Sequence, residues 1–323
     1  PADNFLGVGY MGLTTCSNNA SSAAGRFAAV GANGAIFTSN KTDGITPGIS
    51  WTNHSVSSVF PHNLYAVAGY AANQNNTATP ALRWVAVGDG GATFISTDAN
   101  ATTWTPGTIY DPAQSALRSV MQISGTFWAV GDTGTIQSST DGITWTIRTS
   151  NTTNHLHSIT YGNGLYVAVG DAGTVVTSTD GVTWTLRNST LATTDVLRHT
   201  SSMLATFVAV GDNGVIVTST DQGVTWTKQT TSLGTANLVG IASNLQHATL
   251  DSSGAAFTTL TTGIAANMQF VVVDNTGNFY TSPDGLVWAI ATTSTGKASL
   301  NGLVSSGFGY VAVGNAGAMV SAF

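Results

Sequence analysis

Residues 208–226 read VAVGDNGVIVTSTDQGVTW. Two apolar triplets flank Gly-Asp-Asn-Gly, and a second polar turn, Ser-Thr-Asp-Gln-Gly, leads to a Trp. Short apolar runs bounded by Gly and Asp are the pattern of strands joined by tight hairpins. Such turns need positive φ and a short side chain that bonds to its own backbone. The first half recurs as FAAVGANG from Phe27, WVAVGDGG from Trp84, FWAVGDTG from Phe127, YVAVGDAG from Tyr166, FVAVGDNG from Phe207, FVVVDNTG from Phe270 and YVAVGNAG from Tyr310. The leading aromatics are 57, 43, 39, 41, 63 and 40 residues apart. A unit of about 40 residues with four short strands is the pattern of a propeller blade. The sequence therefore predicts an all-β, seven-bladed β-propeller of four-stranded antiparallel blades. It is read as one domain over 1–323, with blades at about 5–56, 57–109, 115–149, 155–189, 196–230, 237–293 and 299–323.

The unit around Tyr166 shows the parse. Its inner strand is LHSITYG from Leu156, then LYVAVG, then TVVTS from Thr174, with VTWTLR from Val182 outermost. Six units end in a Trp: Trp51, Trp104, Trp145, Trp184, Trp226 and Trp288. These rings are expected between blades. The seventh unit ends with AMVSAF, so the last blade is expected to lack its outer strand, unless residues 1–4 supply a stub. Met319, Val320, Ser321, Ala322 and Phe323 would then form an unpaired edge, a template for a strand of another chain.

Charged residues are only 7% of the chain, and all fifteen acidic residues are Asp. Glu, Lys and Arg are the good surface helix formers, so this composition favours strands and turns. A net charge of -6 argues against a nucleic-acid partner. No apolar run is long enough to span a membrane. Cys16 stands alone, so no intrachain disulfide framework is expected. The Pro-Ala-Asp start and the scarcity of Lys predict a processed, secreted protein.

Three sets of side chains are candidates for more than turn chemistry. Asp89, Asp132, Asp171 and Asp212, with Asn275 and Asn315, fall in the loops between second and third strands. Propeller geometry places those loops on one face, as a ring of oxygens suited to sugar hydroxyls or a cation. Arg118, His157 and Arg198 repeat on the inner strands of blades 3, 4 and 5 and converge near the axis, where they could meet a carboxylate or phosphate. His155 and His157 share a strand face, but no third ligand is near, so no metal site and no cofactor is expected. The long loops at 12–25, 71–82 and about 245–267, and the expanded turn from Asn40, all belong to the opposite face and to blades 6, 1 and 2. Loops gathered on one side of a repeat protein build a contact surface.

The turn STDQGVTW, from Ser219, matches S-x-D-x-G-x-T-W. STDGITW from Ser139, STDGVTW from Ser178 and SPDGLVW from Ser282 are one residue tighter, and STDANATTW from Ser96 is one longer. These turns, paired with the VAVGDxG hairpins, resemble the Asp-box (BNR-repeat) propellers, most of all those related to the photosystem II assembly factor. Asp98, Asp141, Asp180, Asp221 and Asp284 are the box carboxylates, and a structural role is expected for them. The resemblance also covers sialidases and lectins. Sialidase chemistry as the resemblance implies it needs a Tyr activated by Glu, and this chain has no Glu. The expected function is non-enzymatic: a structural or interaction module, assembling with itself or with a protein partner. A glycan-binding lectin is the alternative, with a glycan-acting enzyme or a membrane-complex assembly factor behind it.

Overall fold

The computed structural model describes residues 4–13, 24–39, 51–56, 58, 60–71, 82–98, 100–107, 115–187, 189–231, 233–243, 269–292, 299–305 and 310–322. The long loops singled out above lie almost wholly outside them. The described residues form seven antiparallel sheets. Blade 1 holds β1 (Phe5–Leu13), β2 (Ala24–Gly31), β3 (Ile36–Ser39) and β4 (Trp51–Asn53). Blade 2 holds β5 (Leu64–Ala71), β6 (Leu82–Gly88), β7 (Thr93–Ser96) and β8 (Thr105–Pro106). Blade 3 holds β9 (Leu117–Ile123), β10 (Thr126–Gly131), β11 (Ile136–Ser139) and β12 (Thr146–Arg148). Blade 4 holds β13 (Leu156–Gly162), β14 (Leu165–Gly170), β15 (Val175–Ser178) and β16 (Thr185–Arg187). Blade 5 holds β17 (Leu197–Met203), β18 (Thr206–Gly211), β19 (Ile216–Ser219) and β20 (Thr227–Lys228). Blade 6 holds β21 (Leu238–Ser243), β22 (Phe270–Asp274), β23 (Phe279–Ser282) and β24 (Ala289–Thr292). Blade 7 has three strands, β25 (Leu300–Ser305), β26 (Tyr310–Gly314) and β27 (Met319–Ala322). The protein is a seven-bladed propeller.

The core is divided among the interfaces. Each of seven apolar clusters is shared by two neighbouring blades. Val167, Val169 and Val175 of blade 4, for example, meet Phe207, Ala209 and Trp226 of blade 5. That is why the middle strands read as nearly continuous apolar runs: both faces of each sheet are covered. The Trp of each of blades 1–6 packs toward the blade before it. Trp145, Trp184 and Trp226 are each 1% exposed, and each donates its indole N–H to the carbonyl of the glycine three residues earlier. The outer strand of blade 4 starts only at Thr185, because the backbone at Trp184 turns the ring inward.

The ring closes without a shared blade. Phe5, Phe27 and Ala29 of blade 1 pack on Val311 and Val313 of blade 7. The Asn301 amide donates to the Phe5 carbonyl at 2.7 Å, and the Ala316 N–H donates to Asn4 Oδ1 at 3.0 Å. Asn4 thus sits at the head of the inner strand of blade 1. Residues 1–3 and Phe323 lie outside the described residues.

Candidate functional site

The site is built from one device repeated in every blade. The second residue of each inner strand is the extra residue of a β-bulge: Leu6, Tyr65, Arg118, His157, Arg198, Val239 and Asn301. A bulge breaks the alternation of the strand and re-aims one side chain. It also brings the second hairpin close. Each hairpin returns its first turn residue to the residue before the inner strand, as in Asp132 N–H to the Ala116 carbonyl at 2.9 Å and Asp171 N–H to the His155 carbonyl at 3.0 Å. At Gly170 the backbone passes so close that a Cβ would lie 1.8 Å from the His155 carbonyl oxygen, which explains the invariant glycine of this repeat in six of seven blades.

The bulge residue and the first turn residue therefore face each other at the rim of the central channel. In blade 2 the Tyr65 hydroxyl donates to Asp89 Oδ1 at 2.7 Å. In blade 3 Arg118 grips Asp132 with Nε at 2.6 Å and Nη2 at 3.0 Å. In blade 4 His157 Nε2 lies 2.7 Å from Asp171 Oδ1. In blade 5 Arg198 grips Asp212 at 3.0 and 2.7 Å. In blade 7 Asn301 donates to Asn315 Oδ1 at 2.8 Å. The Arg118 guanidinium also lies over the Tyr65 ring, 5.0 Å from its centre, so blades 2 and 3 are tied across the rim. Asp89, Asp132, Asp171 and Asp212 thus meet Tyr65, Arg118, His157 and Arg198 within their own blades, and Asp132 Oδ1 also lies 3.2 Å from His155 Nδ1 at the start of blade 4.

The electrostatics follow from those pairs. The Asp132 bond raises the Arg118 pKa, and the Asp212 bond raises that of Arg198. Burial pushes the His157 imidazole down despite its bond to Asp171. Lower on the axis, burial pushes His199 down to about 4, with His157 and Arg198 adding to the effect. Below the rim the channel opens into a cavity of about 860 Å³ lined by all seven inner strands, among them Val8, Val67, Ser158, His199, Ile241 and Leu303. It runs to the hairpins at Ser124, Asn163 and Leu204 on the other face. No group of three metal-ligating side chains occurs among the described residues, and no described helix is long and apolar enough to cross a membrane.

The box carboxylates sit at the opposite ends of the blades, in turns. Asp141 Oδ1 accepts from the Ile143 and Thr144 N–H groups at 2.8 and 2.7 Å, and from the Ser139 hydroxyl. Asp180, Asp221, Asp284 and Asp98 repeat this with local partners. Blade 6 holds a carboxylate that the repeat alignment passed over. Asp274 stands where six blades have glycine. It is 0% exposed and accepts from Thr276 N–H, Thr276 Oγ1, Asn278 N–H, Asn278 Nδ2 and Tyr280 Oη at 2.7–3.0 Å. Burial alone would raise its pKa, but these donors hold it below the ordinary value, and burial beside this carboxylate pushes Tyr280 up to about 12. The signal was visible as VVVDNTG in place of VAVGDxG.

The edge residues are placed as follows. Met319 packs at the interface of blades 7 and 1, and Val320 at that of blades 6 and 7. Ser321 pairs with Val311 and Ala322 with Tyr310 on the β26 side of β27. No strand pairs with its other side among the described residues.

Residues 81–158 match the DUF6242 beta propeller domain. No curated protein matches the chain. Among solved structures the chain is similar to YCF48 bound to D1 peptide, at 14% identity and a TM-score of 0.67, covering 99% of this chain and 91% of that one. YCF48 from Cyanidioschyzon merolae is similar at 13% identity and 0.65, covering 99% and 95%. Virginiamycin B lyase from Staphylococcus aureus is similar at 12% identity and 0.68, covering 99% and 94%. At these identities the likeness is one of fold. A peptide-bound propeller and a lyase share that fold, so it does not select an activity.

Proposed function

We propose that this propeller is a non-enzymatic protein-interaction module that takes a partner polypeptide as an added strand on β27. The three-stranded seventh blade carries the reading. Backbone donors and acceptors on an uncovered edge are a template that another extended chain satisfies, while side chains set the register. A propeller of the same fold in complex with a peptide, YCF48 with its D1 peptide, is consistent with such a role. A second copy of this chain is the simplest partner: two β27 strands paired antiparallel about a twofold axis make one continuous sheet. The Ser-x-Asp turns further support a place among Asp-box propellers, and the charge-poor, Glu-free composition supports work outside the cell.

Sedimentation velocity over a concentration series tests the self-pairing form. The intact chain should show multimers that weaken when residues 319–323 are removed, with circular dichroism reporting that the remaining blades persist. A monodisperse monomer at the highest concentration reached would overturn self-pairing. A second reading, lectin activity at the channel rim, draws on one observation. The bulge position is structurally constant but chemically diverse, with Tyr65, Arg118, His157 and Arg198 clustered on blades 2–5. Silence on a glycan array would count against it.

A further inference from the structure

Six blades show what covers a blade's third strand, and blade 7 shows what its absence leaves. In blade 6 the turn glycine, Gly285, lies against blade 5: the Thr218 hydroxyl donates to its carbonyl at 2.9 Å, and Trp288 bonds the same oxygen before burying between the two blades. Each other interface likewise receives a Trp from the blade that follows it. The interface of blades 6 and 7 receives none among its described residues.

One side chain that such a segment would cover is left partly open. Thr281 is the blade 6 counterpart of Thr218. It is partly exposed, whereas the equivalent Thr38, Ile95, Ser138, Thr177 and Thr218 are all buried. Phe279 is 9% exposed, whereas Ile36, Ile136, Val175 and Ile216 at the same position are fully buried. Tyr310 is partly exposed, as is Tyr166 at the same position of blade 4, whereas Phe27, Trp84, Phe127, Phe207 and Phe270 are buried. Thr281 and Phe279 of blade 6 and Tyr310 of blade 7 thus border one seat where each of the other interfaces holds a Trp, apolar with a hydroxyl at one end.

We infer that the added strand comes from a partner polypeptide carrying a Gly-x-x-Trp turn, its glycine carbonyl meeting Thr281 and its Trp entering beside Phe279 and Tyr310. This rests on strand addition to β27 and specifies what is recognised. The spacing is the one used by Gly142–Trp145, Gly181–Trp184, Gly223–Trp226 and Gly285–Trp288, where the indole N–H caps the glycine carbonyl. The backbone pairing supplies direction, and the Trp supplies the buried anchor that dominates such contacts.

The probe is a fluorescein-labelled peptide with the sequence of residues 178–187, STDGVTWTLR, titrated by anisotropy into the intact chain at a dilution where light scattering shows monomer. The peptide should bind, the Trp184→Ala peptide should bind at least about tenfold more weakly, and Thr281→Arg in the protein should weaken the parent peptide while leaving the fold unchanged by circular dichroism. Equal binding of parent and Trp184→Ala peptides would overturn the anchor but leave strand addition standing. Failure of both peptides to bind would overturn both.

Discussion

Single side chains in this protein act mostly on their own backbone, and that makes their effects separable. Backbone N–H groups of Thr183 and Val182 and the Ser178 hydroxyl hold Asp180 down to about 2, and the Thr225 hydroxyl and N–H do the same for Asp221. A depressed folded-state pKa gives stability that is present above the unfolded value near 3.8 and lost as pH falls toward 2. Thermal melting should therefore begin to decline below about pH 7, where the unfolded chain takes up protons that His199 resists down to about 4, and decline further below about pH 4.5 as the box carboxylates protonate. Asp180→Asn should flatten only this lower part, and an unchanged acid slope in that variant would contradict the assignment. Gly170 makes the opposite kind of contribution, through a side chain it lacks. Gly170→Ala should destabilise by about 1–3 kcal/mol or more in urea melts, because a backbone carbonyl cannot move aside as a flexible side chain would. The turn role of Asp180 was legible in sequence as Ser-x-Asp-Gly, whereas Gly170 reads there as a turn glycine and is instead extended, at φ -169°, and required by the close backbone. Asp274 was not legible, since its meaning depends on Tyr280 and Asn278 folding over it.

At the level of the blade, the hairpin spacing fixes the strands and the Trp fixes how blades stack. Trp184 touches the rings of Trp128 in blade 3 and Tyr166 in its own blade, with centres 6.4 and 6.2 Å away. Trp184→Ala should cost about 3–5 kcal/mol by chemical denaturation, and a loss below about 1 kcal/mol would mean that the blades seal without it. The strand count of each blade followed from four-part repeats, down to the missing fourth strand of blade 7. The bulge did not. Leu-Arg-Ser-Val and Leu-His-Ser-Ile read as ordinary strand starts, and only pairing with β10 and β14 shows that Arg118 and His157 are extra residues in the register.

The whole molecule is a ring whose last joint differs from the other six. Elsewhere neighbouring blades are continuous in sequence; between blades 7 and 1 only packing and a few hydrogen bonds hold the circle. Phe5→Ala should thus cost about 3–5 kcal/mol and raise hydrogen exchange first in blades 1 and 7. Exchange that rises evenly around the ring would show that closure is no weaker than the rest.

The sequence by itself determined the blade number, the strand order within each blade, the turn carboxylates and the three-stranded last blade. All of these are local, set by alternation of apolar runs with Gly and Asp over fewer than about 50 residues. Tertiary structure alone decided three things: that Arg118, His157 and Arg198 each meet a carboxylate of their own blade at the channel rim, that Asn4 and Phe5 close the circle, and that Thr281 stays partly exposed where its counterparts are buried. The rim pairs, though only 14 residues apart, depend on a bulge that shifts the register by one residue, which the alternation does not reveal. The closure and the open Thr281 depend on where strands far apart along the chain meet, and a linear pattern carries no record of that distance.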